Sequence, residues 1–68
     1  MYQNRMKQIR KERGITLTEL ANKTGISIGY LSHLEKGTRN NPSIEVMDKI
    51  SKVLNKSVFD VFFTKEIN

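Results

Sequence analysis

At 68 residues the chain reads as one domain, residues 1–68, near the lower size limit for folding without covalent or metal staples. With no cysteine and one histidine it has no disulfide framework, no thiolate metal site and no set of imidazoles to hold a metal. Twelve Lys and Arg against seven Asp and Glu give a net charge of +5 and a pI near 9.8, which favours a polyanionic partner.

Arg5, Lys7, Arg10, Lys11 and Arg13 fall in the first thirteen positions with only Glu12 opposing them. No apolar run approaches the roughly 20 residues of a membrane span. The stretch MYQNRMKQIRK has no apolar core of a signal peptide, so a cytoplasmic protein without membrane contact is expected.

Tyr2, Met6 and Ile9 are spaced at i, i+4 and i+7, one face of a helix that runs to about Arg13 and is capped by Gly14. Thr16 and Glu19 form a capping box that starts a second helix at Leu17. Leu17, Leu20 and Ala21 make its buried stripe, and Gly25 ends it. Ser27 is the N-cap of a third helix, Ile28 to about Lys36, closed by Gly37. TRNNPS, residues 38–43, is a loop in which Pro42 disfavours helix in the residue before it.

Ser43 then caps a fourth helix whose Val46, Met47, Ile50, Val53 and Leu54 keep a 3.6-residue period, with Asn55 as a left-handed stop. Ser57, with Asp60 three residues on, starts a short fifth helix, VFDVFF, before the polar tail 64–68. No alternating strand pattern, linker or internal repeat is present. The expected fold is all-α, with five short helices.

The stretch from Leu17 to Lys36 is the most informative. Two short helical patterns meet at Gly25, with Ala21 four residues before it and Leu31 six after. A small residue at Ala21 lets the two helices approach, and glycine enters the left-handed conformation of the turn without a Cβ clash. Ile26, Leu31 and Leu34 can anchor the following helix while its other face looks outward. That is the plan of a helix-turn-helix, here at 17–36, whose second helix enters a DNA major groove.

With IRKERGITLTELA, TGIS, YLSHLEKG and NPSIEVMDKISKVL in that order, the chain resembles the lambda-repressor/Cro-like, or xenobiotic-response-element, helix-turn-helix family from about Arg5 to Phe63. More narrowly, YLS, NPSI and the segment through Ser57–Val58 are similar to the DNA-binding domain of Sin-type repressors. Two positions depart from the family pattern. Many members carry a phosphate-contacting Gln where Leu17 stands, and Phe59 occupies a position that is usually polar in the fifth helix.

By helical angle, positions 28, 29, 32, 33 and 36 share one side of the third helix, opposite Leu31 and Leu34. Ile28, Gly29, Ser32 and His33 are the candidate base-edge contacts, as the matching family positions imply. His33 can hydrogen-bond at guanine N7 or O6, Ser32 suits either kind of group, Ile28 can pack on a thymine methyl, and Gly29 permits close backbone approach. With no Arg or Gln there, discrimination is modest, about 1–2 kcal/mol for each good contact. The competing roles are a core position for Ile28 and a solvated surface position for His33.

Ser27, Tyr30, Lys36, Thr38, Arg39 and Asn40 are the candidate phosphate contacts, Ser27 through its hydroxyl and the helix N-terminus. Lys36 and Arg39 could instead be solvated charges, and Asn40 a turn former. The resemblance implies that Arg10 and Glu35 pair across the first and third helices as a structural ion pair. Val58, Val61 and Phe62 can share the core side of the last helix, leaving Phe59 and Phe63 on another. Those two phenylalanines are the expected interface of a two-fold homodimer, unless one folds back onto the core.

These features describe a sequence-specific double-stranded DNA-binding transcriptional regulator, a repressor of bacterial or phage origin. No small-molecule ligand, metal or cofactor is expected. The alternative is a protein-interaction module of the same fold, an antitoxin or an antagonist of another regulator. An enzyme is excluded, since there is no cysteine, no paired carboxylate in an apolar setting, no glycine-rich phosphate loop and no oriented general base.

Overall fold

The computed structural model describes residues 4–38 and 41–63. They form five helices: α1 (Met6–Glu12), α2 (Leu17–Thr24), α3 (Ile28–Lys36), α4 (Ile44–Leu54) and α5 (Val58–Phe62). No strand occurs among the described residues. Tyr2, expected on the buried face of the first helix, lies outside the described residues, and α1 begins at Met6. Arg13 closes α1, and the left-handed φ of +69° follows one residue later at Gly14.

Four serine or threonine caps set the starts of the later helices. The hydroxyls of Thr16, Ser27, Ser43 and Ser57 accept the N–H groups of Glu19, Tyr30, Val46 and Asp60 at 3.0–3.2 Å. Each satisfies one of the N–H groups that a helix start leaves without an intrahelical partner. At Thr16 the box is complete, because the Glu19 carboxylate accepts the Thr16 N–H at 2.9 Å. The α1 start differs: its cap position, Arg5, supplies no side-chain bond, and Asn4 Oδ1 accepts the Met6 N–H instead at 2.9 Å.

All five helices contribute to one core. Met6 and Ile9 meet Leu20, Leu31, Leu34, Met47, Ile50, Leu54, Val61 and Phe62, with Ile15, Leu17, Ala21, Ile26, Tyr30, Val46, Val53 and Val58 packed around them. Burying a large aliphatic or aromatic side chain is worth about 1.5–3 kcal/mol, so this set is the main source of stability in a domain without staples.

Two polar ties close the bundle across long sequence separations. The Arg5 N–H donates to the Val61 carbonyl at 2.8 Å, joining the start of α1 to α5. Asn4 Nδ2 donates to the Leu34 carbonyl at 3.0 Å, joining it to the last turn of α3. Nothing in helical periodicity singles out Asn4, yet one amide serves both the start of α1 and the end of α3.

Candidate nucleic-acid interface

The α2–α3 turn positions the outward face of α3. Gly25 stands at φ +76°, ψ +11°, and its N–H donates to the Ala21 carbonyl at 2.9 Å. The buried Thr24 hydroxyl donates to the Leu20 carbonyl at 2.7 Å and accepts the Ile26 N–H at 3.2 Å. Thr24 therefore ties the last turn of α2 to the first residue after the reversal. Leu31 and Leu34 are fully buried, which turns the opposite side of α3 to solvent.

A second device fixes the angle between α1 and α3. Arg10 Nε donates to Glu35 Oε2 at 2.7 Å and Nη2 to Oε1 at 3.2 Å, a two-point contact between side chains that are 11% and 7% exposed. Arg10 Nη1 also donates to the Ile15 carbonyl at 2.9 Å, in the α1–α2 connection. A planar guanidinium held at three points constrains direction as well as distance. Arg10 and Glu35 are thus occupied within the scaffold.

On the outward side, Ile28 is 46% exposed and Gly29 and His33 are exposed. The core position open to Ile28 from sequence is therefore not the one it takes. Ser32 is half-buried and borders a hollow lined by Lys7, Leu17, Glu35 and Lys36. Sequence spacing puts Ser32 level with His33, but tertiary packing leaves it beside α1 and the start of α2.

Ser27 is exposed at the α3 N-terminus, where its oxygen caps the Tyr30 N–H. Tyr30 is half-buried and packs against the core. Lys36 is exposed. Thr38 is exposed and is engaged with His33: its hydroxyl lies 2.8 Å from His33 Nδ1 and 3.2 Å from the His33 carbonyl. Arg39 and Asn40, also candidate phosphate contacts, lie outside the described residues.

Three side chains join this surface that sequence reasoning passed over or left undefined. Thr18 and Asn22 are exposed, one turn apart on α2, and line an open groove with Ala21, Gly25, Ile26, Ser27 and Ile28. Their i, i+4 spacing was the available signal, but a polar pair on a helix reads equally as a solvated face. Lys7, counted among the diffuse basic residues of α1, stands in the hollow with Ser32 and Lys36.

Other cations are engaged elsewhere. Lys49 pairs with Glu45 at 3.7 Å and Lys52 with Asp48 at 3.3 Å along α4, while Arg13 Nη2 donates to the Asn55 carbonyl at 3.3 Å. Local pairing on α4 reduces its share of the positive field.

At the far end of the chain, Val61 and Phe62 are buried, whereas Phe59 is 66% and Phe63 53% exposed. The last helix thus divides its apolar residues between the core and the surface. No helix of the described residues is long and apolar enough to cross a membrane. No group of three His, Cys, Asp or Glu suited to a metal occurs among them.

Comparison with known proteins agrees with this architecture. The helix-turn-helix family profile matches residues 6–61. The chain is 44% identical over 66 residues to the HTH-type transcriptional regulator SinR of Bacillus licheniformis, covering 97% of this chain and 60% of that protein. A crystal structure of SinR, the master regulator for biofilm formation, in complex with DNA is similar at a TM-score of 0.77 and 50% identity, covering 79% of this chain and 86% of that one. A SinR protein/SinI protein complex is similar at a TM-score of 0.77 and 49% identity, covering 81% of this chain and 53% of that one. The chain therefore spans about three-fifths of the SinR of Bacillus licheniformis, within a match that includes both helices of the motif and the core around them. It belongs to the helix-turn-helix family.

Proposed function

We propose that this chain is the sequence-specific double-stranded DNA-binding module of a transcriptional regulator, a repressor that inserts residues 28–36 into the major groove. The observation that carries this is the exposed face of α3, Ile28, Gly29, His33 and Lys36, on a domain similar in backbone to a DNA-bound regulator. Ile28, Gly29, Ser32 and His33 meet base edges, Ser32 from the Lys7 side of the helix. Ser27, Tyr30, Lys36, Arg39 and Asn40 address the backbone, with Lys7 added from α1, whereas the Thr38 hydroxyl is engaged with His33. Base contacts confer sequence preference, whereas phosphate contacts fix register and most of the affinity.

The exposed Phe59 and Phe63 support a two-fold dimer through α5. A dimer would set two copies of α3 about one DNA turn, roughly 34 Å, apart. It would also double the phosphate contacts, which one small module needs at cellular salt.

The test is binding to a random-sequence duplex across a salt series, followed by selection of bound duplexes from a random pool. Affinity should fall steeply as salt rises, with a linear log–log slope. His33→Ala should change base preference, and Lys36→Ala should weaken all duplexes alike. Salt-insensitive binding, or identical behaviour of the two variants on every sequence, would remove this reading.

A second reading is favoured by one observation: a relative of the same fold was solved with a protein partner, SinI. In that reading the aromatic surface of α5 takes another protein, and α3 contacts no nucleic acid. A pool selection that enriches no sequence would favour it.

A further inference from the structure

His33 and Thr38 are joined at two points. The Thr38 hydroxyl oxygen lies 2.8 Å from His33 Nδ1 and 3.2 Å from the His33 carbonyl oxygen, where it is placed to donate. The Thr38 N–H also donates to that carbonyl at 3.0 Å, so the backbone of the α3 C-terminus holds the hydroxyl against the ring. A hydroxyl carries one proton. If that proton goes to the carbonyl, the oxygen can only accept at Nδ1, and Nδ1 must carry the ring hydrogen. If the proton turned to Nδ1 instead, the contact with the carbonyl would be lost. In the neutral ring, one arrangement alone satisfies both contacts, and it leaves Nε2 with a lone pair and no hydrogen.

We infer that Thr38 is a positioning residue that holds His33 as the Nδ1–H tautomer, so that Nε2 reads an exocyclic amino group, adenine N6 or cytosine N4, in the major groove. The inference rests on α3 being the DNA-reading helix. Among the described residues Nε2 has no hydrogen-bond partner, and His33 is exposed on the outward face of α3. Guanine offers only acceptors, N7 and O6, on its major-groove edge, and a bare Nε2 cannot bond to either. The other ring nitrogen of a histidine is set by the bond its partner makes, the same logic that fixes tautomers in metal sites and catalytic groups. Thr38 then serves base selection rather than a phosphate, and the guanine contact open to His33 from sequence is disfavoured.

His33 is the only histidine, so its ring nitrogens are the only imidazole signals in a nitrogen-15 spectrum. In the free protein, with the ring neutral, the Nδ1–H form should predominate. Thr38→Val, which keeps the shape and removes the hydroxyl, should move the ring towards the Nε2–H form, and Thr38→Ser should restore the parent pattern. A parent ring already in the Nε2–H form, or one unmoved by Thr38→Val, overturns the inference without any DNA being present.

The second arm is pool selection at the base position whose preference His33→Ala abolishes. The parent should favour adenine or cytosine over guanine there by about fivefold, the size of one net hydrogen bond. Thr38→Val should erase that ratio and leave affinity for random duplex unchanged. Equal weakening of all duplexes by Thr38→Val would make Thr38 a phosphate contact and overturn the inference. A parent that binds no duplex in low salt overturns the DNA-binding reading itself, while the ring spectrum still decides the tautomer.

Discussion

Arg10 and Glu35, 25 residues apart, meet in a two-point ion pair of 2.7 and 3.2 Å that is almost closed to solvent. Taking one partner of such a pair away leaves the other buried without compensation, at a cost of about 3–5 kcal/mol. A domain of this size has a total stability of only roughly 3–10 kcal/mol. Glu35→Ala should therefore lower the melting temperature by about 20–35 °C or leave the chain unfolded. Arg10→Met combined with Glu35→Leu should recover much of the loss, because neither charge is then stranded. Equal melting temperatures for the parent and Glu35→Ala would show that the pair adds nothing to the scaffold.

The Thr16–Glu19 capping box makes a prediction about acid. The Thr16 N–H, and then the Thr16 hydroxyl, hold the Glu19 carboxyl below its ordinary value of 4.5, and Lys23 adds to this. A carboxyl lowered in the folded state contributes stability above its unfolded value, and loses it as pH falls through the folded value. The stability difference between the parent and Glu19→Gln should thus be constant above about pH 5 and shrink below 4.5. Denaturant midpoints at several pH values report it, and a difference that grows on acidification would contradict the box. Thr16→Ala should cost about 1 kcal/mol near neutral pH.

Gly25 should resist replacement for backbone reasons alone. A Cβ built there meets nothing within 4 Å, so the φ of +76° is the whole penalty. Gly25→Ala should cost about 1–2 kcal/mol, with an unchanged denaturant slope, and Gly25→Asn less. A neutral Gly25→Ala would mean that the turn does not need its left-handed residue.

Phe59 and Phe63 are both exposed, so changing them should leave the monomer fold intact. If α5 joins two copies, the parent should show a concentration-dependent mass between one and two chains in sedimentation. Phe59→Glu with Phe63→Glu should hold the mass at one chain with the same helical circular dichroism. A monomeric parent at every concentration would remove the α5 dimer.

Much of this molecule is decided within four residues along the chain, and that part was legible without a structure. The caps at Thr16, Ser27, Ser43 and Ser57 act on N–H groups three residues away, and the left-handed stops at Gly25, Gly37 and Asn55 are single-residue preferences. The stripe Val46, Met47, Ile50, Val53 and Leu54 needs only helical period to choose its buried side. From these follow the all-α fold, the motif at 17–36 and the outward set Ile28, Gly29 and His33.

What tertiary structure alone decided involves partners that local rules do not bring together. Asn4 reaches Leu34 across 30 positions, and Lys7 enters a hollow with Ser32 and Lys36 that half-buries Ser32. Thr24 turns inward to staple the reversal, although a threonine near a helix end reads as surface. Family resemblance implied the Arg10–Glu35 pair, but only the packing of α1 against α3 sets its direction. Hydrogen bonds and ion pairs are short-ranged and angle-dependent, so they exist only once packing has set the distances. The His33–Thr38 contact likewise exists only because the α3 C-terminus brings the Thr38 hydroxyl to within 2.8 Å of Nδ1.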